Sequence, residues 1–560
     1  MLERIAKTKD PRTRYYVTPT RVLWQTEGEG VEVLSAEALL EERDGQATLG
    51  GGEACILSNR GGQAGLLLDF GTELQGGVQI ALWTAGTGAK TTKLRVRFGE
   101  SAAEAMSERG PSSTATNDHA VRDTIVEVSS FLGATDIGNT GFRFVRIDLL
   151  DPEESIRIKS VRAFLLIREL ERPGSFRCSD PLLTRIWEVG AYTVHLNMQE
   201  YLWDGVKRDR LVWVGDMHPE TSTIQAVFGN HEVVPLSLDF SRDETPLPGW
   251  MNGFPSYSMW WILIHRDWYR QSGDMDYLLE QKSYLLGLLA ALIGHVRDDG
   301  THDAPSAFLD WPTSPNRAGV EAGVHALFVL ALQAGAELCG LLGAAEAERD
   351  CRRAERTLRR RVPEHGGSKQ AAALMALSGL VDPVEANERV LAVDGPRGIS
   401  TFLGYYVLKA RGEAGDFVGA LDVIRRYWGG MLELGATTFW EDFDLSWMEN
   451  ASRIDELPVP GKVDVHGSYG DYCYKGYRHS LCHGWASGPT AWLSEYVLGV
   501  RIVEPGCRKL AIRPRLGDLE WAEGSFPTPF GPVRVAHRRR ADGAVETEID
   551  APVGVEIEYA

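Results

Sequence analysis

Cysteine is sparse and unpaired in this sequence. Seven residues among 560 (Cys55, Cys178, Cys339, Cys351, Cys473, Cys482, Cys507) stand far apart with no CxxC. That spacing excludes a disulfide-stapled scaffold and suits reduced thiols. Positive charge is also short: 59 Lys and Arg face 78 Asp and Glu, for a net charge of -19. Such a surface repels phosphate backbones and anionic lipid, so neither a nucleic-acid nor a membrane partner is expected. No run reads as approaching a membrane span, and the opening MLERIAKTKDPRTRYY lacks the apolar centre of a signal peptide, so the expected location is the cytoplasm. Missing too are a GxSxG elbow and an HExxH pair. GTGAKTTK, from Gly86, carries Ala89 where a phosphate loop needs Gly before its Lys, and His295 and His302 have no companion ligand motif. No nucleotide, metal or other cofactor is expected from them.

What is present is ample apolar material, 43% of residues, in a chain too long for one core. Up to residue 173 short alternating runs such as GGVQIALWT, KLRVRFGE and FRFVRIDLL are broken by Gly and Asp, which predicts an N-terminal β-sandwich over 1–173. From SFRCSDPLLTRIWEVGAYT to residue 499 apolar residues recur at three and four, giving about a dozen paired helices. The number fits an α/α toroid, although spacing alone leaves a solenoid open. Strand patterns return in 500–560 (KLAIRPRL, FGPVRVAHRR) and predict a small C-terminal β-domain.

The densest chemistry lies in DGVKRDRLVWVGDMHPE, from Asp204 to Glu220, with four carboxylates, three cations and a Trp. Charge runs are usually solvated helix faces, and Asp209, Trp213, Asp216 and Glu220 have helical spacing. Gly215 and Pro219 oppose a continuous helix, so the run reads as a loop entering a helix, with Asp216 as cap and Pro219 in the first turn. Carboxylate and Trp recur together in FLDWPTSPN (Asp310, Trp311), in GATTFWEDFDLSW (Trp440, Glu441) and, with His483 replacing the acid, in RHSLCHGWASG (Trp485). Each lies at a break between helices. Aromatic rings stack on the C–H faces of sugars, carboxylates bind hydroxyls, and a carboxylate pair supplies the acid and base that cleave an acetal.

The run D-x-x-x-R-D-R-x-x-W-x-G-D, then GATTFWE, then a His before Gly-Trp, resembles the α-L-rhamnosidases of glycoside hydrolase family 78. The likeness extends to LRVRFGES, GFRFVRI, SDPLLTRIWEVGAYT and VEPGCRKLAIRPRLGDLEWAEGSFPTPFG. It implies an (α/α)6-barrel catalytic domain between β-domains, and inverting release of a terminal α-L-rhamnosyl unit from a glycoside or oligosaccharide. By position it implies Asp209 as general acid and Glu441 as general base. Asp204, Arg208, Trp213, Asp216, Asp310, Trp311, Trp440, His483 and Trp485 would bind the sugar. Relatives often place an Asp-Glu pair before the second Arg and use the Glu; here only Asp209 stands between Arg208 and Arg210, and Glu220 is the reserve acid. Arg208 and Arg210 would favour an ionised Asp209, so their guanidinium groups must point away or be neutralised. The competing readings are an exo-hydrolase of another sugar, a phosphorylase on the same barrel, and a glycan-binding relative without chemistry. Retention of both Asp209 and Glu441 speaks against the last two. An oligomer is compatible with all of them.

Overall fold

A computed structural model describes residues 9–47, 52–85, 91–108, 122–129, 133–470 and 476–559. The stretch from Gly86 to Lys90 and Cys473 lie outside them; the other six cysteines are buried free thiols.

The N-terminal unit is an antiparallel nine-stranded sheet. Its longest strand, Gly65–Ala85, pairs with Arg21–Gln25, Ala134–Leu149 and Ser155–Ile167, with register shifts between Asp69 and Leu74 and between Gly76 and Val78. Bulges of this kind bend a strand and let the sheet fold over itself. Leu66, Leu68, Val78, Ile80, Val96, Phe142 and Ile147 meet inside as one core.

The helical unit settles the choice between ring and solenoid. Inner helices Met217–Val227, Pro255–Ser272, Arg317–Leu341, Lys369–Leu377, Gly404–Glu413 and Gly488–Trp492 each pack on the next, and the last packs back on the first. The circle closes. Pro181–Asn197, Val233–Asp243, Met275–Gly294, Ala345–Leu358 and Phe417–Glu433 lie outside it. Arg317–Leu341, with a mean hydropathy of 1.6 in its most apolar window, is long and apolar enough for a membrane span, contrary to the reading of the sequence. Its apolarity is that of an inner helix packed between its neighbours: 72% of that window is buried. The middle of the ring is filled by aromatic side chains. His218 stacks on Trp260 and on Tyr406, and Trp260 meets Tyr406 at 4.9 Å, so side chains from facing inner helices touch.

SFRCSD, read from its spacing as the start of the helical region, instead holds a strand, Ser175–Cys178, that pairs with Trp521–Phe526 in the C-terminal sheet. The helix begins only at Pro181, where Asp180 caps Leu182 and proline is tolerated. The C-terminal strands form one sheet with Ser175–Cys178 and a second, three-stranded one.

Candidate active site

The loops that carry the aromatic and acidic runs all gather at one end of the ring, where inner helices begin. They enclose a cavity of about 330 Å³ lined by Asp204, Arg208, Asp209, Trp213, Asp216, Trp311, Glu441, His483 and Trp485, together with Phe254, Tyr257, Phe308 and Arg478.

Arg208 organises its polar side. One guanidinium nitrogen lies 3.0 Å from Asp209 Oδ2, the other donates to both oxygens of Glu441, and Nε donates to the Arg478 carbonyl at 2.7 Å. Glu441 Oε2 also accepts from the Ser480 N–H at 3.1 Å. One guanidinium therefore stands between two carboxyl groups, buried on the Glu441 side and part-open on the Asp209 side. Arg210 turns away, donating to the Asn139 carbonyl at 2.8 Å. Of the two arginines, Arg210 points away, whereas Arg208 pairs with Asp209 as well as with Glu441, contrary to the expectation that both would avoid the acid.

Asp209 and Arg210 both have φ 52. Left-handed backbone is uncommon outside glycine, and each instance in such a region costs on the order of 1–3 kcal/mol, so the surroundings must hold it. Asp204 does part of this: its Oδ1 accepts the Leu211 N–H at 2.9 Å while its own N–H donates to the Leu211 carbonyl. The acid that opens the run closes the loop.

Asp216 occupies the expected N-cap position of Met217–Val227, but its side chain makes no capping bond. Its Oδ1 instead meets His483 Nε2 at 3.0 Å. Burial above all, then the negative charges of Asp204, Glu441 and Asp209, raises the Asp216 carboxyl well above the usual range, and burial depresses His483. Both shifts favour the neutral forms of the two partners in this hydrogen bond. Asp204 is likewise raised, by burial and then by Asp209.

Two expected residues lie behind the wall. Asp310 is held by Ser400 Oγ at 2.6 Å and the Thr313 N–H at 2.9 Å, bracing the turn that presents Trp311. Trp440 is buried against Phe443. Trp311 and Glu441 face the cavity, while Asp310 and Trp440 are buried outside its lining. His295 pairs with Asp303 and His302 stacks on Phe328, away from the site. Phe254, Tyr257, Phe308 and Arg478 were not singled out. GFPSYS holds the same kind of break before an inner helix, but with no acid beside its aromatics.

Glu220 is fully buried against Gly484, where an added Cβ would stand 1.6 Å from its Oε1, and neither carboxyl oxygen has a hydrogen-bond partner among the described residues. Burial, then Asp216 and Asp204, pushes it well above the usual carboxylate range. The unfolded chain releases this proton near pH 4, the folded one only at higher pH, so between the two the native state binds more protons and stability falls as pH rises. The slope is about 1.4 kcal/mol per pH unit for each such group. Glu220→Gln keeps the shape and abolishes the titration. Its melting temperature should fall less than that of the parent between pH 5 and pH 8; parallel curves would mean that Glu220 is ionised in the fold.

Comparison with known proteins fits this arrangement. Residues 171–370 match the family model for the bacterial alpha-L-rhamnosidase 6 hairpin glycosidase domain, and residues 499–559 that for the bacterial alpha-L-rhamnosidase C-terminal domain. An alpha-L-rhamnosidase of Alteromonas sp. (strain LOR) is 29% identical over 135 residues, 24% of this chain and 12% of that protein. Among solved structures, the family 78 rhamnosidase of Bacillus sp. GL1 is 24% identical with a TM-score of 0.74 over 94% of this chain and 55% of its own. The rhamnosidase of Klebsiella oxytoca with rhamnose bound is 18% identical with a TM-score of 0.65, over 87% and 96%. The chain thus spans about half the length of the Bacillus protein and a small part of the Alteromonas one. Over residues 171–370 and 499–559 the chain resembles the six-hairpin glycosidase and C-terminal domains of bacterial alpha-L-rhamnosidases.

Proposed function

We propose that the chain is an inverting, exo-acting glycoside hydrolase that releases terminal α-L-rhamnose from glycosides or oligosaccharides. The observation that carries the reading is the cavity that brings Asp209 and Glu441 together across Arg208. Asp209, on the part-open side, is placed to give a proton to the departing oxygen. Glu441, deeper, meets hydrogen-bond donors at both oxygens and is placed to take a proton from water on the far face of the sugar ring. An inverting pair needs space for that water, about 6.5–9.5 Å between carboxyl groups, and the intervening guanidinium keeps the two from closing on each other.

Exo action is supported by the aromatic filling of the ring, which favours entry of one terminal residue over passage of a chain. Rhamnose is favoured by the relatives and by the wall chemistry. Phe254, Tyr257, Phe308 and Trp213 form an apolar side suited to the C5 methyl group, while Asp204, Asp216 and His483 offer polar atoms to the hydroxyls. Trp213 Nε1 and His483 Nδ1, both buried without a partner, are further candidates for sugar contacts.

Single displacement by water makes the first product the β-anomer. Proton NMR on the earliest points of hydrolysis of an aryl α-L-rhamnoside should record β-L-rhamnose ahead of mutarotation. An α-anomer at that stage removes Glu441 from the role of base, and absence of turnover on rhamnosides beside turnover on another aryl glycoside removes rhamnose.

A further inference from the structure

We infer that the N-terminal β-domain is a working part of the catalytic site, acting through Lys207 as a positioning residue. The inference rests on the proposed roles of Asp209 and Glu441. Lys207 immediately precedes Arg208 and Asp209, yet its side chain leaves the cavity and enters the seam between domains, where it is 1% exposed. Its ammonium lies 2.9 Å from Glu100 and 3.5 Å from Glu104, both on the β-domain, and donates to the carbonyls of Tyr477 and His479 at 2.6 Å each. Glu100, Glu104 and His466 bring their ligand atoms within 4.8 Å of one another, the spacing of a metal site. Here the cation among them is the ammonium, with His466 Nε2 at 3.2 Å.

Both arms of the proposed chemistry hang from this point. Glu100 also accepts the Leu481 N–H at 2.7 Å, so one carboxylate grips the 204–216 run through Lys207 and the 477–481 segment directly. That segment exchanges two hydrogen bonds with Glu441 through Ser480, and its Arg478 carbonyl fixes Arg208. The β-domain makes two further ties, from the Gly141 N–H to the Val206 carbonyl at 2.9 Å and from Arg210 to the Asn139 carbonyl. Gly141 packs so closely that a Cβ there would lie 2.8 Å from Lys207 N. These contacts hold the chain just before the left-handed pair Asp209 and Arg210, and at Arg210 itself. A buried ion pair is weak evidence for stability, because desolvation offsets attraction, whereas its use in fixing register is well attested. The register fixed here is that of the acid and the base.

The test uses the full chain with Lys207→Met, which keeps length and removes charge, and with Lys207→Met/Glu100→Gln, which also removes the carboxylate left uncompensated. Hydrolysis of an aryl α-L-rhamnoside and hydrogen exchange without sugar are measured on each. A misplacement of about 1 Å costs on the order of 10²-fold in rate. Lys207→Met should therefore lose about 100-fold or more in kcat with KM changed less than about threefold. Exchange should rise at 204–211 and 477–481, with helices Met217–Val227 and Arg317–Leu341 unchanged. The double variant should recover thermal stability without recovering kcat. Should Lys207→Met fail to fold, the double variant alone decides. A double variant within about threefold of parental kcat, or exchange rising evenly along the chain, overturns the inference. If the parent shows no rhamnosidase activity, the function proposed above falls, and local against even exchange still decides this one.

Discussion

Glu441→Gln is expected to abolish nearly all turnover while leaving rhamnose binding in place. General-base assistance is worth roughly 10²–10⁴ in rate, and a carboxamide cannot accept the proton that water must lose. The substitution carries a second cost, because Glu441 is the bidentate partner of the buried Arg208 guanidinium. Breaking a buried pair by neutralising one member destabilises by about 3–5 kcal/mol, so a lowered melting temperature is expected as well. Calorimetric binding of rhamnose separates the two effects. Azide, a nucleophile that needs no base, should restore part of the turnover and yield the β-rhamnosyl azide. A folded variant with near-parental kcat would place the base elsewhere, and an α-azide would replace single displacement by a covalent mechanism.

Asp209→Asn should reveal itself through the leaving group. An acid matters in proportion to how poorly the departing oxygen leaves unprotonated. Nitrophenyl rhamnosides should therefore lose little, and alkyl or sugar rhamnosides on the order of 10²–10⁴. Asp204→Asn and Asp216→Asn should lose similar factors on every aglycone, since their contacts are a loop closure and a bond to His483. Glu220→Gln should show no leaving-group dependence beyond that of the parent, because its carboxyl is fully buried and outside the cavity lining. A flat response in Asp209→Asn with a steep one in Glu220→Gln would reverse that assignment.

Periodicity alone made the helices legible, but not their closure. Whether Gly488–Trp492 returns to Met217–Val227 is decided by side chains far apart in sequence, and no local spacing carries that information. The pairing of acid with aromatic identified most of the wall, and it overreached at Asp310 and Trp440 because it took both members of adjacent pairs. It passed over Phe254, Tyr257 and Phe308, whose place on the wall comes from where an inner helix starts. Asp216 marked a helix start correctly, while its side chain found a more distant partner in His483 than the backbone amides beside it.

The closed ring also bears on how the molecule assembles. In an open stack of repeats, ordering can begin anywhere and spread to neighbours. Here the bridge from Gly205 to His483 joins segments separated by nearly half the chain, and the last inner helix supplies the first one's missing neighbour. Contacts of such separation form late, since loop-closure entropy is lost before they return anything. During synthesis the segments bearing Glu100 and Gly141 emerge first and Asp209 soon after, but the wall of His483 and Trp485 emerges hundreds of residues later. Until then Asp204, Asp216 and Glu220 face water and hold ordinary charges. The weakened acidity of the pocket's buried carboxyls comes into being with the final turn of the circle.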